Sequence, residues 1–341
     1  EIRLGWVTSP TDSQHLIEPI LQLRSTLSDR GVSRIVLCGM GGSSLAPEVI
    51  TQSAGVELVV LDSTEPEQVA AAVNKDLEKT AVVVSSKSGS TVETDSQKRA
   101  FEAAFDAAGI AKTERIVIVT DPGSPMEQKA KQDGYQVFNA DPTVGGRYSA
   151  LTAFGLVPSG LAGVDIAQLL EDAAAAAELL AVDSEFNPGL LLGASMARTS
   201  NGSGVGYRDK VGIIADHSSI VGFGDWAEQL IAESTGKENR GVLPVVLTES
   251  SPESTGSLKD MLLVEVVDEI PAATRQQVAV SASLGAQFLL WEFATAVAGR
   301  LLEVNPFDQP DVESAKIAAR GMLEQRAAEH PALFSDGAVE V

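Results

Sequence analysis

The sequence predicts an α/β protein made of two doubly wound sandwich subdomains, each a mainly parallel sheet covered by helices. Three observations carry that expectation. Short β-branched runs alternate with helical stretches along the chain, loops rich in glycine or serine follow several of the runs, and an alanine-rich helix separates one alternation from a second.

An amphipathic helix is expected near His15–Leu27, within an N-terminal helical segment, residues 1–30. The first domain, residues 31–164, offers strands at Arg34–Cys38, Glu57–Leu61, Ala81–Ser85, Arg115–Thr120 and a short Gln136–Phe138. Helices fill the intervals at Ser44–Gln52, Glu67–Val73, Thr91–Ala108 and Pro125–Gln132. Residues 165–182 form a linking helix, because Ile166–Ala181 is dominated by the best helix former. The second domain, residues 183–330, repeats the alternation: helix Gly189–Thr199, strand Lys210–Ala215, helix Asp225–Glu233, then strands Gly241–Leu247 and Met261–Val266. Helices at about Gln276–Glu303 and Pro310–Glu329 close it, before a tail at residues 331–341. No crisp sequence repeat relates the halves; the inferred similarity is one of topology.

A chain of 341 residues has room for two domains, and 44% hydrophobic with 21% charged residues is the balance of an ordinary soluble protein. The formal charge of −22 argues against nucleic acid or an acidic membrane as a partner. An anionic substrate would therefore need few, local positive partners. The single cysteine, Cys38, lies in an apolar strand and suggests a buried thiol in a reducing, cytoplasmic setting. No signal peptide or uncharged membrane-spanning run is found; Gln287–Val304 is interrupted by Glu292 and Arg300. The three histidines, His15, His217 and His330, are isolated, so an imidazole metal site is not expected. His217 is the one placed near an expected active-site rim, although a surface histidine is the plainer and preferred reading.

The sharpest motif is Val83-Val84-Ser85-Ser86-Lys87-Ser88-Gly89-Ser90-Thr91. An apolar strand empties into hydroxyls just where a helix starts, and the free N–H groups and positive dipole end there suit a phosphate. The Walker order is absent, which favours a phosphorylated small molecule over a nucleoside triphosphate. A capped strand-to-helix turn is the plainer alternative. Gly39-Met40-Gly41-Gly42-Ser43 lets backbone approach a ligand, though a tight turn alone would need such glycines. Gly145-Gly146-Arg147-Tyr148-Ser149 sets a permanent cation beside exposed backbone amides, a good neighbour for an oxyanion, or else a surface turn. In Ala232-Glu233-Ser234-Thr235-Gly236-Lys237, apolar residues precede Glu233 and a glycine break follows. A carboxylate turned into a dry cleft there would have its pKa raised towards that of a working base. A solvated ion pair with the nearby lysine is the alternative. Asn305-Pro306-Phe307-Asp308-Gln309-Pro310 opens the last helix, and Lys316 falls seven residues after Gln309, near the same helical face.

Taken in order, from about Gly39 to Lys316, these motifs resemble the phosphoglucose isomerase (glucose-6-phosphate isomerase) family, built from two sugar-isomerase (SIS) domains. Val312-Glu313 and Lys316 after the Asn305–Gln309 stretch belong to that pattern. The chain looks like a compact form, similar to the isomerase unit that some bacteria fuse behind a transaldolase; its start at Glu1 without methionine leaves such a fusion open. The resemblance implies interconversion of glucose 6-phosphate and fructose 6-phosphate without a cofactor or metal, in a homodimer. It implies Glu233 as the base moving a proton between C1 and C2, Arg147 stabilising the enediolate, and Lys316 assisting at the ring oxygen. Gly42, Ser43, Ser86, Lys87, Ser88, Ser90, Thr91 and Gln309 would bind substrate, with Ser86, Ser88 and Thr91 on the phosphate. One departure is clear. The histidine of the long members' GQH-type motif has no counterpart in Gly285-Ala286-Gln287, so ring opening would pass to Lys316 with water. A dual phosphoglucose/phosphomannose isomerase, or a non-catalytic sugar-phosphate sensor, are the rival expectations.

Overall fold

A parallel five-stranded sheet forms the first half, with strands β1 (Arg34–Gly39), β2 (Val59–Leu61), β3 (Thr80–Ser85), β4 (Ile116–Thr120) and β5 (Gln136–Asn139) in the order β2-β1-β3-β4-β5. The computed structural model describes residues 3–197, 208–255, 258–272 and 278–310, with short stretches between 314 and 340. Strands β1, β3 and β4 are buried along their whole length, as expected where helices cover both faces. Register aligns Gly39 with Ser85, so the loops leaving β1 and β3 emerge side by side.

The helices of this half are α1 (Ser9–Asp12), α2 (Ile17–Asp29), α3 (Leu45–Ser53), α4 (Pro66–Asn74), α5 (Val92–Ala107), α6 (Pro125–Asp133) and α7 (Ala153–Ala162). Proline opens α4 and α6, where its missing N–H costs nothing. The Glu65 and Ser124 side chains cap those helices by accepting from Gln68 N (2.8 Å) and Glu127 N (3.0 Å). From α5, Phe101 and Phe105 are fully buried against Val82, Val84, Ile116 and Ile118. Such a side chain contributes about 1.5–3 kcal/mol by leaving water. Cys38 is buried in the same core, and burial pushes its thiol pKa up.

Helices α8 (Ile166–Leu180) and α9 (Pro188–Met196) lead to the second half. Its strands are β6 (Lys210–His217), β7 (Leu243–Leu247), β8 (Met261–Val267) and β9 (Val278–Val280), all parallel, in the order β7-β6-β8-β9. Three helices accompany them: α10 (Phe223–Thr235), α11 (Pro252–Thr255) and α12 (Leu284–Leu301). An aromatic cluster joins α10 to α12, with Trp226 edge-on to Phe288 at 4.7 Å and Phe223 edge-on to Trp291 at 5.5 Å. Close approach of α12 to its neighbours needs glycine: a Cβ on Gly285 would lie 2.1 Å from the Leu169 carbonyl oxygen of α8.

Two elements depart from expectation. The helix expected over Gln276–Glu303 is instead the strand β9 followed by α12, with Ser283 at the helix entry. Helix α7, which contains Pro158, was not anticipated; its residues Ala153 to Leu161 are all buried, and packing compensates for the helix-breaking residues. The last expected helix falls largely outside the described residues. Among the described residues, no helix is long and apolar enough to cross a membrane.

Residues 1–306 form one compact unit that contains both sheets, and residues 307–341 form another. In the latter, Ser314 Oγ donates to the Pro310 carbonyl (3.0 Å), and Ser335–Asp336 pairs antiparallel with Val339–Glu340.

Candidate active site

The carboxyl ends of β1 and β3 begin the site, because a parallel sheet opens a crevice where its strand order reverses. After β1, Gly41 adopts a left-handed φ of +53°, and a Cβ there would lie 2.6 Å from Gln229 Nε2 of α10. At Gly42 a Cβ would lie 2.6 Å from the Gly146 carbonyl oxygen. The glycine loop therefore lies against both α10 and the Gly145–Ser149 turn, which side chains would prevent. Ser43 is half-buried in the same short turn.

After β3, Ser86 is buried, and its N–H donates to the Val119 carbonyl of β4 (3.0 Å). Its hydroxyl is 3.0 Å from that of Thr91, the residue at the N-terminal boundary of α5. No side chain caps α5, so its first amides keep their positive end for another partner. Ser88 and Ser90 are exposed, with the Ser90 hydroxyl donating to Ser88 Oγ (3.0 Å). Thr120, at the end of β4, donates to the Ser86 carbonyl (2.7 Å) and fixes the loop from below.

The third component crosses from one half to the other. Arg147 is buried, and its guanidinium donates from Nε to Ser234 Oγ (3.1 Å), from Nη1 to Glu233 Oε2 (3.2 Å) and from Nη2 to the Pro306 carbonyl (2.9 Å). Glu233 Oε1 accepts from Gln229 Nε2 (3.0 Å), one turn earlier on α10. The local ion pair with Lys237 gives way to this long-range one; Lys237 donates to the Asn305 carbonyl (2.6 Å) and helps anchor the segment that Arg147 also holds. Glu233 is not sealed in a dry pocket as expected: its side chain keeps 35% exposure, while the Arg147 side chain keeps 5%. A carboxylate open to an incoming molecule, with a fixed guanidinium at 3.2 Å, is the arrangement that a proton transfer beside a developing oxyanion requires.

The model of the phosphoglucose isomerase family matches residues 24–249 of this chain. The chain belongs to the phosphoglucose isomerase family. It is 29% identical to a probable glucose-6-phosphate isomerase of Haloarcula marismortui, an alignment covering 89% of this chain and 80% of that one. The glucose-6-phosphate isomerase of Synechococcus sp. (strain JA-3-3Ab) is also 29% identical, over 86% of this chain but only 66% of its own length. Among solved structures, a hypothetical protein of Thermus thermophilus superposes with a TM-score of 0.80 at 26% identity, covering 95% of this chain and 91% of that one.

Within this family member, several anticipated residues have other engagements. The Lys87 ammonium lies 2.8 and 2.7 Å from the two Asp121 carboxylate oxygens and 3.3 Å from the Asp141 carbonyl oxygen. Burial lowers the Lys87 pKa and raises that of Asp121, and their ion pair opposes both shifts. Lys87 thus ties the Ser86–Thr91 loop to Asp121 beneath it. Gln287 is buried in α12, where its Oε1 accepts from Trp291 Nε1 (3.0 Å). His217 is an exposed surface histidine, the plainer of its two expected readings, and not part of the rim beside Glu233. It precedes α10 and faces Glu249 (3.4 Å) and Glu265 (3.9 Å), while Glu233 lies near the far end of that helix. From Phe223 to Glu233 is about 15 Å of helix. Gln309 belongs to the unit of residues 307–341, and Lys316 lies outside the described residues.

A cleft of about 630 Å³ elsewhere in the molecule includes Ser53, Asp165, Asp172, Ser219 and Asp268 in its lining. None of the anticipated site residues lines it; three aspartates, Asp165, Asp172 and Asp268, do, with no cation among its described lining residues, so its charge disfavours a sugar phosphate. The sequence disclosed neither Thr120, Asp121 and Gln229 as site-building residues nor the contacts that Ser234 and Pro306, inside quoted motifs, make with Arg147.

Proposed function

We infer that this protein interconverts glucose 6-phosphate and fructose 6-phosphate by ring opening and proton transfer through a cis-enediol. The observation that carries this reading is the Arg147–Glu233 contact at 3.2 Å, made by a half-buried carboxylate on a helix that also packs against the glycine loop.

The hydroxyls of Ser86, Ser88 and Thr91, with the amides at the start of α5, hold the phosphate. Gly42, Ser43 and Ser90 line the approach, and Lys87 supports the loop. Binding through hydroxyls and amides suits a chain of net charge −22, which needs no broad positive surface to receive an anion. With the ring open, Glu233 takes the proton from C2 of the aldose. The electron pair left behind forms the C1–C2 double bond, and the charge moves to the former carbonyl oxygen, where Arg147 stabilises it. Returning the proton to C1 and relocating the hydroxyl proton completes the ketose. From the family resemblance, Gln309 contacts the sugar phosphate and Lys316 assists at the ring oxygen. The resemblance also supports a homodimer and a cytoplasmic setting, with fusion to a transaldolase as a further form; sedimentation at several concentrations tests the dimer.

The deciding experiment couples glucose 6-phosphate formation from fructose 6-phosphate to a reporter enzyme, for wild type and Glu233→Gln. Turnover should fall about 1,000-fold in the variant, within the range for removal of a general base. An unaffected variant rules out Glu233 as the base. A wild type that binds fructose 6-phosphate without converting it is a sensor, not an isomerase.

A further inference from the structure

The turn that carries Arg147 has little stiffness of its own. Gly146–Tyr148 is a single turn of 3-10 helix, and no other regular element lies between the end of β5 at Asn139 and the start of α7 at Ala153. Gly145 and Gly146, just before Arg147, add backbone freedom and no side chain to pack. The direction of the guanidinium is therefore set by what lies against the turn. One such neighbour is the glycine loop, at Gly146. Another is the segment Leu4–Val7, far away along the chain.

That segment touches the turn and its approach. The Gly5 N–H donates to the Thr143 carbonyl (3.4 Å), and a Cβ on Gly5 would lie 2.8 Å from Asp141 Oδ2 and 3.1 Å from Val144 Cγ2. Trp6, which is 2% exposed, meets the turn itself: its ring centroid lies 5.3 Å from that of Tyr148, with the planes tilted by 35°. Trp6 is fixed in its turn by Phe293 of α12, edge-on at 5.0 Å, and by Ser9, whose hydroxyl donates to the Trp6 carbonyl (2.9 Å). Arg147 and Tyr148 are consecutive on a turn of three residues per revolution, so their side chains leave it about 120° apart. A Tyr148 ring held in place thus fixes the roll of the turn, and with it the line along which Arg147 reaches Glu233. The contact from Tyr148 through Trp6 to Phe293 joins the same two halves of the molecule that Arg147 joins through polar groups.

We propose that Trp6 is a positioning residue for Arg147, acting through the ring of Tyr148. The proposal rests on the isomerase reading of the site. Its effect falls on proton transfer rather than on phosphate binding, so the loss belongs in kcat and not in KM.

The test measures kcat, KM for fructose 6-phosphate and thermal unfolding for Trp6→Leu, Trp6→Phe, Phe293→Leu and Phe105→Leu, and for Trp6→Leu combined with Arg147→Lys. Trp6→Leu should lower kcat about ten-fold, with KM within about two-fold of wild type. Trp6→Phe keeps a ring against Tyr148 and should stay within about three-fold of wild-type kcat. Phe293→Leu removes the edge-on support of Trp6 and should lower kcat about three-fold. Phe105→Leu opens a gap in the core against β3 and β4, and should lower Tm while kcat stays near wild type. In the Arg147→Lys background, adding Trp6→Leu should cost less than about two-fold, because its effect passes through the guanidinium. Wild-type kcat in Trp6→Leu, an equal kcat loss in Phe105→Leu, or a full loss that persists beside Arg147→Lys would overturn the proposal. If Trp6→Leu does not fold, Phe293→Leu decides: a lowered kcat with unchanged KM supports the proposal, and wild-type kcat overturns it. An inactive wild type removes the isomerase reading and this inference with it, whereas an active wild type leaves the variants to report on Trp6 alone.

Discussion

In both halves the first strand lies inside its sheet, between the second and the third, so each half opens a crevice at the same place: β1 beside β3, and β6 beside β8. The two crevices are lined in opposite senses. Beyond β1 and β3 come glycines, serine and threonine hydroxyls and the uncapped start of α5. At the carboxyl ends of β6, β7 and β8 lie His217, Glu249 and the buried Glu265, followed by Asp268, which accepts from the Ser219 N–H (2.8 Å). Those bonds, the Ser219 amide first, hold the Asp268 carboxyl below its usual pKa. Topology supplies two equivalent openings, and side-chain charge leaves only one of them open to an anion. In the proposed isomerase the second half contributes to the chemistry by another route, through the carboxylate near the end of α10.

The largest expected effect comes from the residue that joins the halves. Arg147→Lys breaks the forked set of contacts to Ser234, Glu233 and Pro306 and should lower kcat about 100-fold in the coupled assay. A kcat near wild type would mean that a point charge suffices and that the geometry at Glu233 is incidental. Next come Ser86→Ala and Thr91→Ala, each expected to raise KM for fructose 6-phosphate roughly five- to ten-fold with a smaller change in kcat, the loss of one hydrogen bond to a charged group. An unchanged KM would move the phosphate away from the first crevice.

A pH experiment sharpens the picture of the support beneath that crevice. Glu127, on α6, accepts from Lys131, from the Gly123 N–H and from Asn139, and these bonds lower its pKa to about 2. A depressed folded-state pKa adds stability that is complete above the unfolded value of about 4.3 and is lost as pH falls through about 2. Glu127→Gln should therefore have a lower Tm than wild type at pH 6, and the gap should shrink as pH falls from about 4.3 towards 2. A gap that is constant with pH would mean that the carboxylate charge adds nothing. The smallest effect belongs to the second crevice, where His217→Ala should leave kcat within about two-fold of wild type. A large loss there would end the contrast between the two openings.

Much of this was legible along the chain, for identifiable reasons. Strands β1, β3 and β4 are unbroken apolar runs followed by small residues, and such runs carry their own signal. Strand β9 has three residues, too few to display a period, and α7 contains Pro158, which argues against the helix that packing sustains. In the site, Ser86, Arg147 and Glu233 stood out because each sits in a local motif. The pairings across the fold did not: Asp121 is 34 residues from Lys87, and Ser234 is 87 from Arg147. Pairings of that span are settled by the fold, and a single sequence holds no local trace of them. The exposure of Glu233 had the same cause, since the apolar residues before it on α10 face the core while the carboxylate turns towards Arg147.

Arg147 reaches partners 86, 87 and 159 positions away along the chain. Such a guanidinium works like a clasp that closes only when two remote segments, the end of α10 and the Pro306 stretch, have arrived beside it. Turnover should consequently vanish in step with cooperative melting rather than ahead of it, and a sugar phosphate seated against the clasp should delay both.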